Sequence, residues 1–232
     1  MSSSEIKAVL FDLDGTLYLG EELIPKADWV VSQLRNGGIK VAFLTNKPIA
    51  SPQSYADKLS SLGIEANAND VITSVRLTSE SLETNYPNAR VHVIGESYLI
   101  DTLSNGGFRL STRPEETDVV ILSLDRSFDY TKLEFAYRAV KFGAHVVATN
   151  PDALCPLGDG EIIDTGAWIG ALETLIKRPV DAVLGKPSGR CADFALSALG
   201  FEPREVLMVG DRLETDIKMA QDSAVTSVLV LS

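Results

Sequence analysis

The stretch FDLDGTLY, Phe11 to Tyr18, sets two carboxylates one residue apart where the apolar run AVLF, Ala8 to Phe11, is ending, and a glycine and a threonine follow at once. A short run of aliphatic residues fits a strand buried on both faces, as in a parallel sheet covered by helices. The pattern outward from it agrees. A helix keeps Ala27, Val30, Val31 and Leu34 on one face, begins near Pro25 and stops at Gly37 and Gly38, with Trp29 as a packing residue. The strand VAFLT, Val41 to Thr45, comes next. Ser51 and Pro52 then read as the N-cap and first-turn proline of a helix through Tyr55, Leu59 and Leu62 that ends at Gly63.

From about Ser79 to Pro179 the alternation restarts with VHVIG, a turn-rich NGGF, DVVILSL, a helix through Leu133, Ala136, Tyr137 and Val140, and the strand HVVAT. This reads as a second α/β layer. Residues Asn150 to Thr165 are rich in Pro, Gly and Asp and read as a long functional loop. DAVLG, Asp181 to Gly185, and VLMVG, Val206 to Gly210, resume strands of the first kind, with a helix through Phe194, Ala195 and Leu199 between them.

The 232 residues are 45% hydrophobic and 23% charged, enough to bury a core of one large or two ordinary domains. A net charge of -11 with no basic run repels phosphate backbones and anionic lipid, which argues against nucleic acid as a partner. The start MSSSEIK lacks a charged-then-apolar leader, and no apolar stretch approaches the ~20 residues that span a bilayer, so no membrane association and a cytoplasmic location are expected. Cys155 and Cys191 have no metal-like spacing with each other or with His92 and His145, and read as reduced thiols. The two histidines read as strand or edge residues of the second layer.

Four apolar runs end in residues with chemistry: AVLF in Asp12, VAFL in Thr45 and Asn46, DAVLG in Lys186, and VLMVG in Asp211. Ligands of doubly wound sheets bind outside the carboxyl ends of the strands, so these ends can share one crevice. Asp12, Asp14, Asp211 and Asp216 would concentrate negative charge there, which is tolerable with a cation, and oxygen ligands without His or Cys favour Mg²⁺. Carboxylates, Mg²⁺, a lysine, a threonine hydroxyl and the free amides of the Gly15 turn suit a phosphoryl group.

In this order, DLDGT, the strand-end FLTN, GKP and GDRLETDI resemble the four motifs of the haloacid dehalogenase superfamily. Well over a hundred residues of α/β pattern separate FLTN from GKP, as in the nitrophenylphosphatase-like branch with its phosphoglycolate, pyridoxal phosphate and sugar phosphate phosphatases. The resemblance implies a Rossmann-like doubly wound parallel sheet built from residues 1–78 and 180–232, with an inserted α/β cap over residues 79–179. It implies that Asp12 is a nucleophile that becomes an aspartyl phosphate. Asp14 is then the acid that protonates the leaving oxygen and later activates water. Asp12, Leu13, Asp14, Thr45, Asn46 and Lys186 would bind the phosphoryl group, and Asp12, Asp211 and the Asp14 carbonyl would ligate Mg²⁺ with Asp216 supporting them. Asn150 and Asp152 resemble a cap loop facing the crevice, and Trp168 would narrow the entrance, stack on substrate, or pack in the cap.

The implied activity is Mg²⁺-dependent hydrolysis of small phosphorylated metabolites, sugar phosphates among them, in a protein that can dimerise through its cap. A module that binds such a metabolite without turnover, and a mutase, are the competing readings; the intact set of Asp12, Asp14, Lys186 and Asp211 argues against the first. A dehalogenase would lack Asp14. Lys47 and Pro48 depart from the Asn and Ser common in relatives and add a cation near the phosphate. Relatives also continue beyond VLVLS through a loop, a strand and a helix, so either that layer is dispensable or the chain is a shortened form.

Overall fold

Ala8–Asp12 is the middle strand of a five-stranded parallel sheet ordered Thr226–Leu229, Val206–Gly210, Ala8–Asp12, Lys40–Thr45, Val71–Thr73. The structure, a computed structural model, describes residues 5–157 and 160–231. All five residues of Ala8–Asp12 are buried, because both faces of the strand are covered. Val9 and Phe11 join Val31, Tyr55 and Leu59 on one side, where the helices Ala27–Asn36 and Pro52–Ser61 pack. Ser51 caps the second of these helices by accepting from the Ser54 N–H at 3.0 Å, with Pro52 in its first turn. Trp29 is 59% exposed on the outer face of the first.

A second five-stranded parallel sheet runs Ala182–Val183, His145–Ala148, Val119–Leu122, Arg90–Ile94, Arg109–Leu110. The α/β class with parallel sheets therefore holds throughout. The alternation of the strands divides its residues too: Val120, Leu122 and Val146 pack with Ala136, Ala139 and Leu172 on one face. Val91, Val119, Ile121 and Val147 on the other share one apolar cluster with Ala8, Leu10, Ala42 and Leu44 of the first sheet. Helices Ser74–Asn85 and Gly189–Leu199 contribute Val75, Leu82, Ala192, Ala195 and Leu199 to that cluster and so connect the two sheets.

Two sequence expectations change. Ala182–Val183 pairs with His145–Ala148, so the run Asp181 to Gly185 closes the second sheet instead of resuming the first. The segment Asn150 to Thr165 is not a structureless loop: Leu154–Leu157 and Gly160–Ile163 pair as an antiparallel hairpin whose residues 158 and 159 lie outside the described ones. An edge hairpin tolerates Pro156, because only one side of the strand needs its N–H donors. Among the described residues no helix is long and apolar enough to cross a membrane.

Candidate active site

Parallel register brings the motif-bearing strand ends to one edge. Phe11 pairs with Val209 and Asp12 with Leu44, so Asp12, Thr45 and Asp211 all leave the same side of the first sheet. Lys186 comes from the second sheet. The N–H groups of Leu184 and Gly185 donate to the carbonyls of Ala148 at 3.0 Å and Thr149 at 2.8 Å, continuing the Ala182–Val183 pairing until the chain reaches the first sheet's edge.

There the Lys186 ammonium meets Asp12 Oδ1 and lies 2.7 Å from Asp216 Oδ1. Asp216 is completely buried in a π-helical turn, Leu213–Ile217, and its Oδ2 accepts from the Arg212 N–H at 3.1 Å. The Thr16 hydroxyl faces Asp12 Oδ2 at 3.3 Å and Asp211 Oδ1 at 3.4 Å. Carboxylate oxygens of Asp12, Asp211 and Asp216 lie within 4.8 Å of one another. Burial pushes the Asp12 carboxyl up to about 8; Lys186 pulls it back and Asp216 adds to the rise. Burial and Asp216 raise Asp211 as well. For Lys186 burial works against the charge, but Asp12 and Asp216 outweigh it and hold the ammonium protonated. Three carboxylates around one lysine leave negative charge uncompensated in a desolvated place, and an all-oxygen donor set of this kind fits a hard divalent cation.

Backbone space is reserved around these groups. Gly15 has φ +88°, and a Cβ on it would sit 2.3 Å from Asp211 Oδ2. The Leu13 side chain is wholly buried and its carbonyl accepts from the Thr16 and Leu17 N–H groups. Thr45 is 2% exposed, and its hydroxyl accepts from the Lys47 N–H at 3.0 Å.

Asn46, expected to hold phosphoryl oxygens, has its side chain engaged elsewhere. Its Oδ1 accepts from the Lys186 N–H at 2.8 Å, and its Nδ2 donates to the Lys186 carbonyl at 3.0 Å and to Asp152 Oδ2 at 2.9 Å. Asp14 lines the same pocket as Asp12 and pairs with Lys47 Nζ at 3.4 Å. Burial works to lower Lys47, but Asp14 and Cys155 more than offset it. Burial pushes the Cys155 thiol up to about 11 despite Lys47, so it stays protonated at neutral pH.

The described lining of the pocket takes in Asp152 but neither Asn150 nor Trp168. Asn150 is completely buried; its Nδ2 donates to the Asn46 carbonyl at 3.3 Å and Thr165 Oγ1 at 3.2 Å, and its Oδ1 accepts from the Asp152 N–H at 2.9 Å. Trp168 lies flat on Phe128, ring centroids 4.0 Å apart, as a packing residue of the second layer. His92 stacks on Phe135 and His145 faces Tyr86, both within the second layer. Sequence reasoning missed Arg212, Cys155, Asp164 and Thr215 on the pocket wall, and Thr16 beside the carboxylates. Arg212 and Thr16 had a signal in their places beside Asp211 and Gly15; Cys155 and Asp164 reach the pocket only because the hairpin folds back.

A model of haloacid dehalogenase-like hydrolases matches residues 9–109, and a HAD-hydrolase-like model matches residues 183–232. The chain is 37% identical to the sugar-phosphatase AraL of Bacillus subtilis over 97% of its own length and 82% of the relative's. It is 35% identical to an acid sugar phosphatase of Staphylococcus epidermidis over 91% of its length and 81% of that protein's. The crystal structure of a 4-nitrophenylphosphatase from Thermotoga maritima superposes with a TM-score of 0.90 at 30% identity, covering 97% of this chain and 86% of that one.

Proposed function

The chain belongs to the haloacid dehalogenase-like hydrolases and is a phosphatase of that family; from this premise we propose that it hydrolyses small phosphomonoesters, sugar phosphates above all, using Mg²⁺ and a phosphoryl intermediate on Asp12. One observation carries the reading: the Asp12 carboxylate, last in its strand, is gripped by Lys186 and shares a site with Asp211 and Asp216. A carboxylate fixed in place and facing a pocket is a nucleophile, and an ammonium beside it counters the phosphoryl charge.

In the proposed reaction an Asp12 oxygen attacks phosphorus, the ester P–O bond breaks, and its electron pair leaves with the substrate oxygen. The Asp14 carboxyl delivers the proton that this oxygen takes up. Asp14, now a carboxylate, then takes a proton from a water that attacks the same phosphorus; the bond to Asp12 breaks, and inorganic phosphate leaves with both carboxyl groups restored. Thr45 and the amides of the Leu13 to Gly15 turn meet the phosphoryl oxygens, and Lys186 holds the Asp12 carboxylate in position throughout. Asp12, Asp211 and the Asp14 carbonyl, with Asp216 behind them, would hold Mg²⁺, which when bound would supply positive charge against the phosphoryl oxygens.

The layer containing the Arg90–Ile94 sheet acts as the cap, presenting Cys155 and Asp164 to the leaving group. It restricts the site to small molecules, and it also offers the surface for a homodimer. The names of the relatives support sugar phosphates as the class. Inorganic phosphate release from a panel of sugar phosphates, nucleoside monophosphates and a phosphopeptide tests the reading. Sugar phosphates should be the fastest of these. Preference for the phosphopeptide would overturn the role of the cap, and an isomerised product without phosphate release would favour a mutase.

A further inference from the structure

Asn46 ties the Asn150–Asp152 turn of the second layer to the nucleophile's partner, and the tie is double. Asn150 Nδ2 reaches the Asn46 carbonyl at 3.3 Å, while Asp152 Oδ2 accepts from Asn46 Nδ2 at 2.9 Å. Asn46 in turn holds both the N–H and the C=O of Lys186, at 2.8 and 3.0 Å. The Lys186 ammonium ends the sequence of contacts on Asp12 and Asp216. Gly185 is part of the fit, since a Cβ there would lie 2.5 Å from Asn46 Oδ1. Arg212, next to Asp211, steadies Asp152 from the other side: its guanidinium donates to the Leu154 carbonyl at 3.3 Å and lies 3.6 Å from Asp152 Oδ1.

We propose that Asp152 is a positioning residue: by fixing the Asn46 amide it sets the Lys186 backbone, and through the Lys186 ammonium the placement of Asp12. The inference rests on the proposed phosphatase reaction and goes beyond it, because it gives the Asn150–Asp152 turn a task other than touching substrate. Asn46 can orient its amide in two senses, and only one presents Nδ2 to the Lys186 carbonyl and Oδ1 to the Lys186 N–H. The Asp152 carboxylate accepts from Nδ2 and so reinforces the sense that the Lys186 N–H and C=O require. The Asn150–Asp152 turn thereby reaches the nucleophile through Asn46 and Lys186 without itself approaching phosphorus.

The test compares Asp152→Ala and Asp152→Asn in the full chain, with p-nitrophenyl phosphate as the probe and amide hydrogen exchange at Lys186 as a readout independent of turnover. Asp152→Ala should lower kcat by roughly tenfold to a hundredfold, the scale on which small misplacements act, with KM little changed. The same variant should speed exchange of the Lys186 amide. Asp152→Asn keeps an acceptor for Asn46 Nδ2 and should restore both. A rise in KM at unchanged kcat, or a Lys186 amide as protected in Asp152→Ala as in the parent, would overturn the proposal in favour of a substrate contact. Absence of turnover in the parent protein itself would instead count against the phosphatase reading, and the exchange measurement would still decide the positioning role.

Discussion

Gly15 stands so close to Asp211 that a β-carbon on it would lie 2.3 Å from the Asp211 Oδ2, although almost two hundred residues separate them. The turn after Asp12 and the turn after Val206–Gly210 therefore share one volume. Gly15→Ala must push the Asp211 carboxylate aside and place an alanine at φ +88°, at a cost of about 1–2 kcal/mol. We expect the variant to fold, to lose roughly a hundredfold in kcat, and to need more Mg²⁺ for half-maximal rate. Steady-state kinetics across a Mg²⁺ titration checks this.

Lys186 is the cation shared by Asp12 and Asp216, and its side chain is 3% exposed. Lys186→Met leaves two buried carboxylates without it, a change that costs about 3–5 kcal/mol when one partner of a buried pair is removed. Urea unfolding should show that loss in EDTA and a smaller one in Mg²⁺, because a bound cation takes over part of the compensation. An equal loss in both conditions would mean that the metal is not bound against these carboxylates.

The raised Asp12 carboxyl, about 8 in the folded protein against 3.8 when unperturbed, gives a pH dependence of definite sign. Between these values the folded state binds more protons than the unfolded one, so stability of the metal-free protein falls as pH rises from about 4 to about 8. Burial raises Asp152, Asp164 and Asp211 in the same direction. A divalent cation displaces the proton, so the stabilisation by Mg²⁺ should grow from pH 6 to pH 8 as the site ionises. Thermal melts in EDTA and in Mg²⁺ at both pH values measure the difference; a gain that shrinks with pH would contradict the assignment of the cation to this cluster.

The alternation of short aliphatic runs with capped helices made both parallel sheets legible, because strands buried on both faces leave little room for polar residues. Parallel strands also fix which ends share an edge, which is why Asp12, Thr45 and Asp211 could be grouped from sequence, whereas Lys186 reaches them from the second sheet. The run Asp181 to Gly185 reads as a strand of the first sheet yet pairs in the second, because a two-residue edge strand carries no pattern of its own. The orientation of Asn46 was not legible, since its side chain is turned by Asp152 and Lys186, far away in sequence. Asp216 reads as a helix-start carboxylate in the sequence; its complete burial against Lys186 follows from a π-helical turn that no local pattern announces.

Release of p-nitrophenol from p-nitrophenyl phosphate tests the central claim most directly, measured for the parent protein in Mg²⁺, in EDTA, and for Asp12→Asn in Mg²⁺. Asp12→Asn keeps the shape of the side chain and removes the nucleophilic charge. The account predicts turnover only in the first case. Turnover by Asp12→Asn at the parent rate, or by the parent protein after complete chelation, would contradict it.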